Sequence, residues 1–125
     1  MLDIDYFKRV NDTFGHDVGD KVLKHLVATM RYSIRNDDLL VRWGGEEFLL
    51  VIETESIESF RRMAEHVRQR VEQETFEVAG RVTCSFGITL YAPNEPIEHT
   101  IKRSDKALYE AKGAGRNRVV QAGSD

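Results

Sequence analysis

Leu39-Leu-Val-Arg-Trp-Gly-Gly-Glu-Glu-Phe-Leu-Leu-Val-Ile52 sets two apolar runs on either side of a glycine pair. Short aliphatic and aromatic runs suit strands, and glycine enters the positive-φ conformations of tight turns without steric cost. The stretch therefore reads as a β-hairpin with Gly44-Gly45 at its tip. Outward from the hairpin, both flanks have helical period. From Asp20 onward, Val22, Leu23, Leu26, Val27, Met30 and Ile34 form one apolar stripe with Lys21, Lys24 and Arg31 outside it. From Ser56 to Glu74 a second stripe runs through Ile57, Phe60, Met63, Ala64, Val67 and Val71, with Ser56 as N-cap and Glu58 placed where the helix dipole favours an acid. Farther out, Val82 to Leu90 alternates as a strand and Ile97 to Lys112 is a third helix. Arg118-Val-Val-Gln121 is a last short strand entered through Gly113 and Gly115, and Met1-Leu-Asp-Ile4 is the tail of a strand. The order β-α-β-β-α-β-α-β predicts the α+β class, with one mostly antiparallel sheet flanked by helices.

A chain of 125 residues, 41% hydrophobic and without internal repeats, predicts a single domain spanning residues 1–125. Its formal net charge of −3 argues against a surface built to displace counterions from a nucleic-acid polymer, so any nucleotide it handles is small. Cys84 is the only cysteine, which excludes a disulfide framework or a cysteine zinc cluster and fits a reducing, cytoplasmic compartment. No apolar run reaches the roughly 20 residues of a membrane span, so no membrane contact is expected from this segment.

Three polar groups fall at strand ends and turns, where function concentrates. Asp3 ends the first strand, and Glu46 and Glu47 follow the glycine pair. If that strand lies beside the hairpin, the carboxylates converge, and oxygen ligands without His or Cys suit Mg²⁺ or Mn²⁺. Equally, Gly-Gly followed by acids describes a solvated hairpin tip. Lys8, Lys112 and Arg116, with the backbone N–H groups of Tyr6 and Phe7 at a helix start, would make a polyphosphate cradle, although each cation taken singly reads as a solvated side chain. Asn11 and Asp20, placed on one loop, could pair with a purine edge. A carboxylate accepting from N1–H and the 2-amino group prefers guanine, whereas Asp20 could instead cap the following helix. His16, His25 and His99 lack metal-ligand spacing and read as structural or solvated, and Trp43 and Phe48 as core or hairpin packing.

In order along the chain stand Asp3-Ile-Asp-Tyr-Phe-Lys8, Asn11-Asp-Thr-Phe-Gly-His16, Gly19-Asp20, Arg42-Trp-Gly-Gly-Glu-Glu-Phe48, Thr83-Cys-Ser-Phe-Gly87, Ser104-Asp-Lys-Ala-Leu-Tyr109, Ala111-Lys112 and Gly115-Arg-Asn117. Together they resemble the GGDEF family of diguanylate cyclases in its Gly-Gly-Glu-Glu-Phe form. The resemblance implies a nucleotidyl cyclase or polymerase-palm (ferredoxin-like) fold and an enzyme that condenses two GTP into cyclic di-GMP and two pyrophosphates across a head-to-head homodimer. It implies that Asp3, the Ile4 carbonyl, Glu46 and Glu47 hold the metals, with Asp3, Glu46 and Glu47 catalytic and Glu47 a candidate base. Lys8, Lys112, Arg116 and the N–H groups of Tyr6 and Phe7 would hold the β- and γ-phosphates, Asn11 and Asp20 would read guanine, and Gly44 and Gly45 would leave room for ribose and α-phosphate. Family members carry a preceding helix, an Asp-x-Leu-Thr-like motif and the first half of the first strand, so the chain reads as an N-terminally truncated domain.

Arg35-Asn-Asp-Asp38 stands at the spacing of the family's inhibitory RxxD site, where cyclic di-GMP binds; His66 occupies the position of a further arginine in many members. Arginine can fork onto guanine O6 and N7, and the alternative is a helix-end ion pair. Two other readings compete with the cyclase: a non-catalytic cyclic di-GMP receptor and a GTP-binding regulatory module.

Overall fold

The computed structural model describes residues 1–123. The elements are β1 (Leu2–Ile4), α1 (Phe7–Phe14), α2 (His16–Ser33), β2 (Leu39–Arg42), β3 (Glu47–Val51), α3 (Ile57–Gln73), β4 (Cys84–Ile88), α4 (Ile97–Gly113) and β5 (Val119–Gln121). The hairpin is β2–β3, and the sheet order is β2-β3-β1-β4-β5. Only β4 and β5 run parallel, so the α+β expectation of a mostly antiparallel sheet holds.

Strand alternation sorts the two faces of the sheet. Leu2, Ile4, Phe48, Cys84, Phe86 and Ile88 pack with Val22, Leu26 and Met30 of α2 and Ala64, Val67 and Val71 of α3 in one core. On the other face Gly87 of β4 meets α4, and Asp3 of β1 meets Lys112 at its end. Burying that much aliphatic and aromatic surface at roughly 25 cal/mol per Å² is what holds α2 and α3 against the sheet. Gly87 lets α4 approach closely: a Cβ there would stand 2.2 Å from both Leu108 N and Ser104 O. Lys112 and the turn that follows it are thereby set at the end of β1.

Helix α3 matches its sequence stripe, with Ser56 Oγ accepting from Ser59 N at 3.1 Å. The N-terminal third needs correction. Asn11 and Asp20 do not share a loop: Asn11 lies in α1 and Asp20 in the second turn of α2, broken at Gly15 with φ 92°. Asp20 therefore does not cap α2. The expected helix start at Tyr6 and Phe7 is that of α1, whose extent the sequence leaves open because only Phe7 and Val10 of its residues turn to the core. Phe48 is core, whereas Trp43 is 51% exposed at the hairpin tip and belongs to no core. His25 is structural, paired with Glu74 and tilted against the Phe76 ring at 4.2 Å. Among the described residues no helix is long and apolar enough to cross a membrane.

Candidate active site

Register brings the acidic group together: Asp3 of β1 pairs directly opposite Glu47 of β3. The Asp3 side chain is buried, with Oδ2 in an ion pair to Lys112 at the end of α4. Its Oδ1 is buried with no hydrogen-bond partner. Burial holds the Asp3 carboxyl above the usual carboxylate range; Lys112 pulls it down and Glu46 and Asp5 push it up. An unpartnered buried carboxylate oxygen is costly unless something binds it, and oxygen ligands fit a hard divalent cation. Among the described residues no three His, Cys, Asp or Glu side chains stand close enough to hold a metal ion, so further oxygens would have to come from a bound ligand.

Beside Asp3, α1 begins. Tyr6 adopts a left-handed conformation, φ 57°, and no side chain caps the helix, so the first-turn N–H groups of α1 lack a side-chain acceptor. Tyr6, Phe7 and Lys8 line a cleft of about 450 Å³ together with Asp3, Ile4 and Glu46, and Lys112 and Arg116 close its cationic side. Phe7, Lys8 and Glu46 also line a second cleft of about 410 Å³, which adds Asn11, Asp20 and Gly45. The two clefts are thus continuous along one wall. Asn11 Oδ1 is buried without a partner, and Gly19 makes its position possible, since a Cβ there would lie 1.9 Å from it.

The hairpin tip departs from the expected turn. Neither Gly44 nor Gly45 has positive φ, and the tip is instead closed by Trp43 N and Gly44 N donating to Glu47 O at 2.8 and 3.2 Å. Arg42 donates to Gly44 O at 3.3 Å and Gly45 O at 2.6 Å. A Cβ on Gly45 would touch nothing, and one on Gly44 only the Glu47 side chain from 3.6 Å. The fold does not demand these glycines; what their bareness supplies is room beside the clefts. Glu47 and Gly44 line neither cleft.

Sequence reasoning missed Asp5. It is buried and accepts from Thr83 Oγ1 at 2.7 Å, Ser85 Oγ at 2.6 Å and Asn117 N at 2.9 Å. It thereby ties β1 to the turn that carries Arg116, whose φ is 66°. The signal was present, since Asp5 is a second acid two residues after Asp3, just past the end of β1. Arg9, Asp12 and Arg42 line the clefts without having been singled out, and His16, read as structural or solvated, lines the second.

Away from the clefts, Arg35 and Asp38 meet in a tight turn. Arg35 N donates to Asp38 Oδ2 at 2.7 Å and Asp38 N to Arg35 O at 3.0 Å, so the contact is not a side-chain ion pair. The Arg35 side chain is exposed. His66 is exposed on α3, and among the described residues no hydrogen bond or ion pair joins it to Arg35 or Asp38.

Residues 1–118 match the family described as "Diguanylate cyclase, GGDEF domain". Diguanylate cyclase DgcP of Pseudomonas aeruginosa is 44% identical over 98% of this chain and 19% of its own length. The response regulator PleD of Caulobacter vibrioides is 41% identical over 96% of this chain and 28% of its own. The chain thus spans about a fifth to a third of the length of such relatives. Among solved structures, the active GGEEF domain of a diguanylate cyclase from Vibrio cholerae superposes with a TM-score of 0.91 at 37% identity, covering 99% of this chain and 81% of that one. The GGDEF domain of DgcB from Caulobacter crescentus, in complex with c-di-GMP, also reaches 0.91 at 35% identity, covering 98% and 75%. With a family match over residues 1–118, the chain belongs to the GGDEF family of diguanylate cyclase domains.

Proposed function

We propose that this domain condenses two molecules of GTP into cyclic di-GMP, each of two copies holding one GTP. The observation that carries the proposal is the pair of continuous clefts: one sets a buried carboxylate with one unpartnered oxygen among cations, and the other has an unpartnered buried amide oxygen beside Asp20. The first suits a triphosphate and the second a guanine. Lys8, Lys112, Arg116 and the Tyr6 and Phe7 N–H groups hold the β- and γ-phosphates, while Asn11 and Asp20 read the base. Gly44 and Gly45 admit ribose and α-phosphate. Asp3, the Ile4 carbonyl, Glu46 and Glu47 would hold Mg²⁺ or Mn²⁺ only together with phosphate oxygens of the bound nucleotide, and the metal would supply Lewis-acid stabilisation of charge at phosphorus. The 3′-oxygen of each GTP forms a bond to the other's α-phosphorus and pyrophosphate leaves. The 3′-hydroxyl proton passes to Glu47, next to the tip that admits the ribose. Two such bonds close the ring.

Turnover of GTP with Mg²⁺ at high protein concentration, with products separated chromatographically, tests this. Cyclic di-GMP is expected and should vanish in Glu47→Ala. Absence of product from the folded wild-type chain with GTP bound would support a regulatory module instead. The exposed Arg35 side chain beside Asp38 supports a product-binding site at that turn, with His66 as its third member. Arg35→Ala should relieve inhibition by added cyclic di-GMP, and unchanged inhibition would remove the assignment.

A further inference from the structure

The Tyr6 ring has two guanidinium groups against it. The guanidinium carbon of Arg9 lies 4.5 Å from its centroid and that of Arg116 lies 4.7 Å from it. Arg116 belongs to the phosphate cradle already described, but Arg9 lies in neither the motif nor the cradle. We infer that Arg9 and Arg116 form a two-guanidinium clamp for the outer phosphates of the bound nucleotide, with the Tyr6 ring as their shared platform. The inference rests on the reading of the first cleft as a triphosphate site.

Tyr6 is a large aromatic left 52% exposed, and it sits at positive φ. Neither core packing nor turn chemistry requires tyrosine there, and a strained, exposed aromatic at a cleft is explained by what it supports. Arg116 also has positive φ, so both ends of the contact are fixed by unusual backbone. Among the described residues no hydrogen bond or ion pair engages the side chain of Arg9 or of Arg116; the ring contact is what orients each. Both line the first cleft, where Lys112 is already engaged by Asp3. Two guanidinium groups held near one ring are pre-organised, and planar forks match phosphate oxygens better than a flexible ammonium does. Arg9 would thus distinguish a triphosphate from a monophosphate.

The test is titration of the folded protein with inorganic tripolyphosphate, GTP and GMP, alongside steady-state kinetics. Arg9→Ala is expected to weaken tripolyphosphate and GTP roughly 10-fold, leave GMP unchanged, and raise KM for GTP with little change in kcat. Tyr6→Leu should reproduce that pattern and Tyr6→Phe should not, which a purely electrostatic role for Arg9 would not predict. Lys112→Ala is the control. If it weakens tripolyphosphate while Arg9→Ala does not, the clamp is overturned and the phosphate site stands. If neither variant changes tripolyphosphate binding, the phosphate site itself is overturned, and the clamp with it.

Discussion

Asp3 carries the sharpest conflict at the scale of single residues. Its side chain is buried, one oxygen is paired with Lys112, and the other has no partner. Desolvation is the largest influence on its carboxyl and raises it above the ordinary range, so the ionised form weakens the fold in the absence of a ligand cation. The sign follows from linkage: a carboxyl raised in the folded state favours folding when protonated, and that benefit is lost as pH rises through the folded value. Asp3→Asn should therefore raise the melting temperature of metal-free protein at pH 8, provided that the desolvation of Asp3 outweighs its ion pair with Lys112. The gain should shrink as the pH is lowered toward the ordinary aspartate range. The same variant should lose about 100-fold or more in turnover with Mg²⁺. Thermal melts in chelator across pH check this, and an Asn variant melting below the wild type at pH 8 would contradict it. Asp5, two residues on, is the opposite case: three donors satisfy it, and its role is to hold the Arg116 turn. Sequence distinguishes the two poorly, because both read as an acid at the end of a strand.

Among the elements, what sequence reveals depends on how much of each is buried. Helix α3 was legible to its cap because a long apolar stripe and Ser56 both mark it. The hairpin was legible from its glycine pair, although the closure of its tip, through Glu47 O and Arg42, is set by contacts that no local pattern encodes. Helix α1 was legible only at its start beside Tyr6 and Phe7; Phe7, Val10 and Phe14 stand at helical spacing, but eight residues leave too short a stripe to mark its extent. That omission misplaced Asn11 and Asp20, yet both still line one cleft, because Gly19 lets α1 and α2 approach. Strand β4 is buried throughout, and its Gly87 marks where α4 touches the sheet. Gly87→Ala would force backbone atoms of α4 outward, since the obstructing atoms are Leu108 N and Ser104 O. The expected cost is about 3 kcal/mol, read as a lower denaturant midpoint. Because α4 carries Lys112, GTP affinity should fall in the variant even under conditions where it remains folded. A variant with wild-type stability would mean that α4 is held less closely than the geometry requires.

The whole molecule offers the two clefts proposed for polyphosphate and base, which share Phe7, Lys8 and Glu46 and both open to solvent. Among the described residues Asn11 and Asp20 occur together in one cleft only, whereas the proposed reaction needs two α-phosphates and two 3′-hydroxyls face to face. The bonds must then form between copies. The formal net charge of −3 makes copies repel only weakly, and at physiological salt a screening length of about 8 Å confines that repulsion to close approach. Encounter is therefore limited by concentration, and specific activity should rise in proportion to protein concentration until pairs saturate. Mixing separates this from catalysis within one copy. Wild-type protein diluted into an excess of Glu47→Ala would spend most of its time in mixed pairs, in which one of the two hydroxyls lacks its base. Cyclic product should fall, and a linear dinucleotide triphosphate, holding one of the two bonds, should accumulate. If cyclic di-GMP per wild-type copy is unaffected by the excess, each copy works alone and the head-to-head arrangement is wrong.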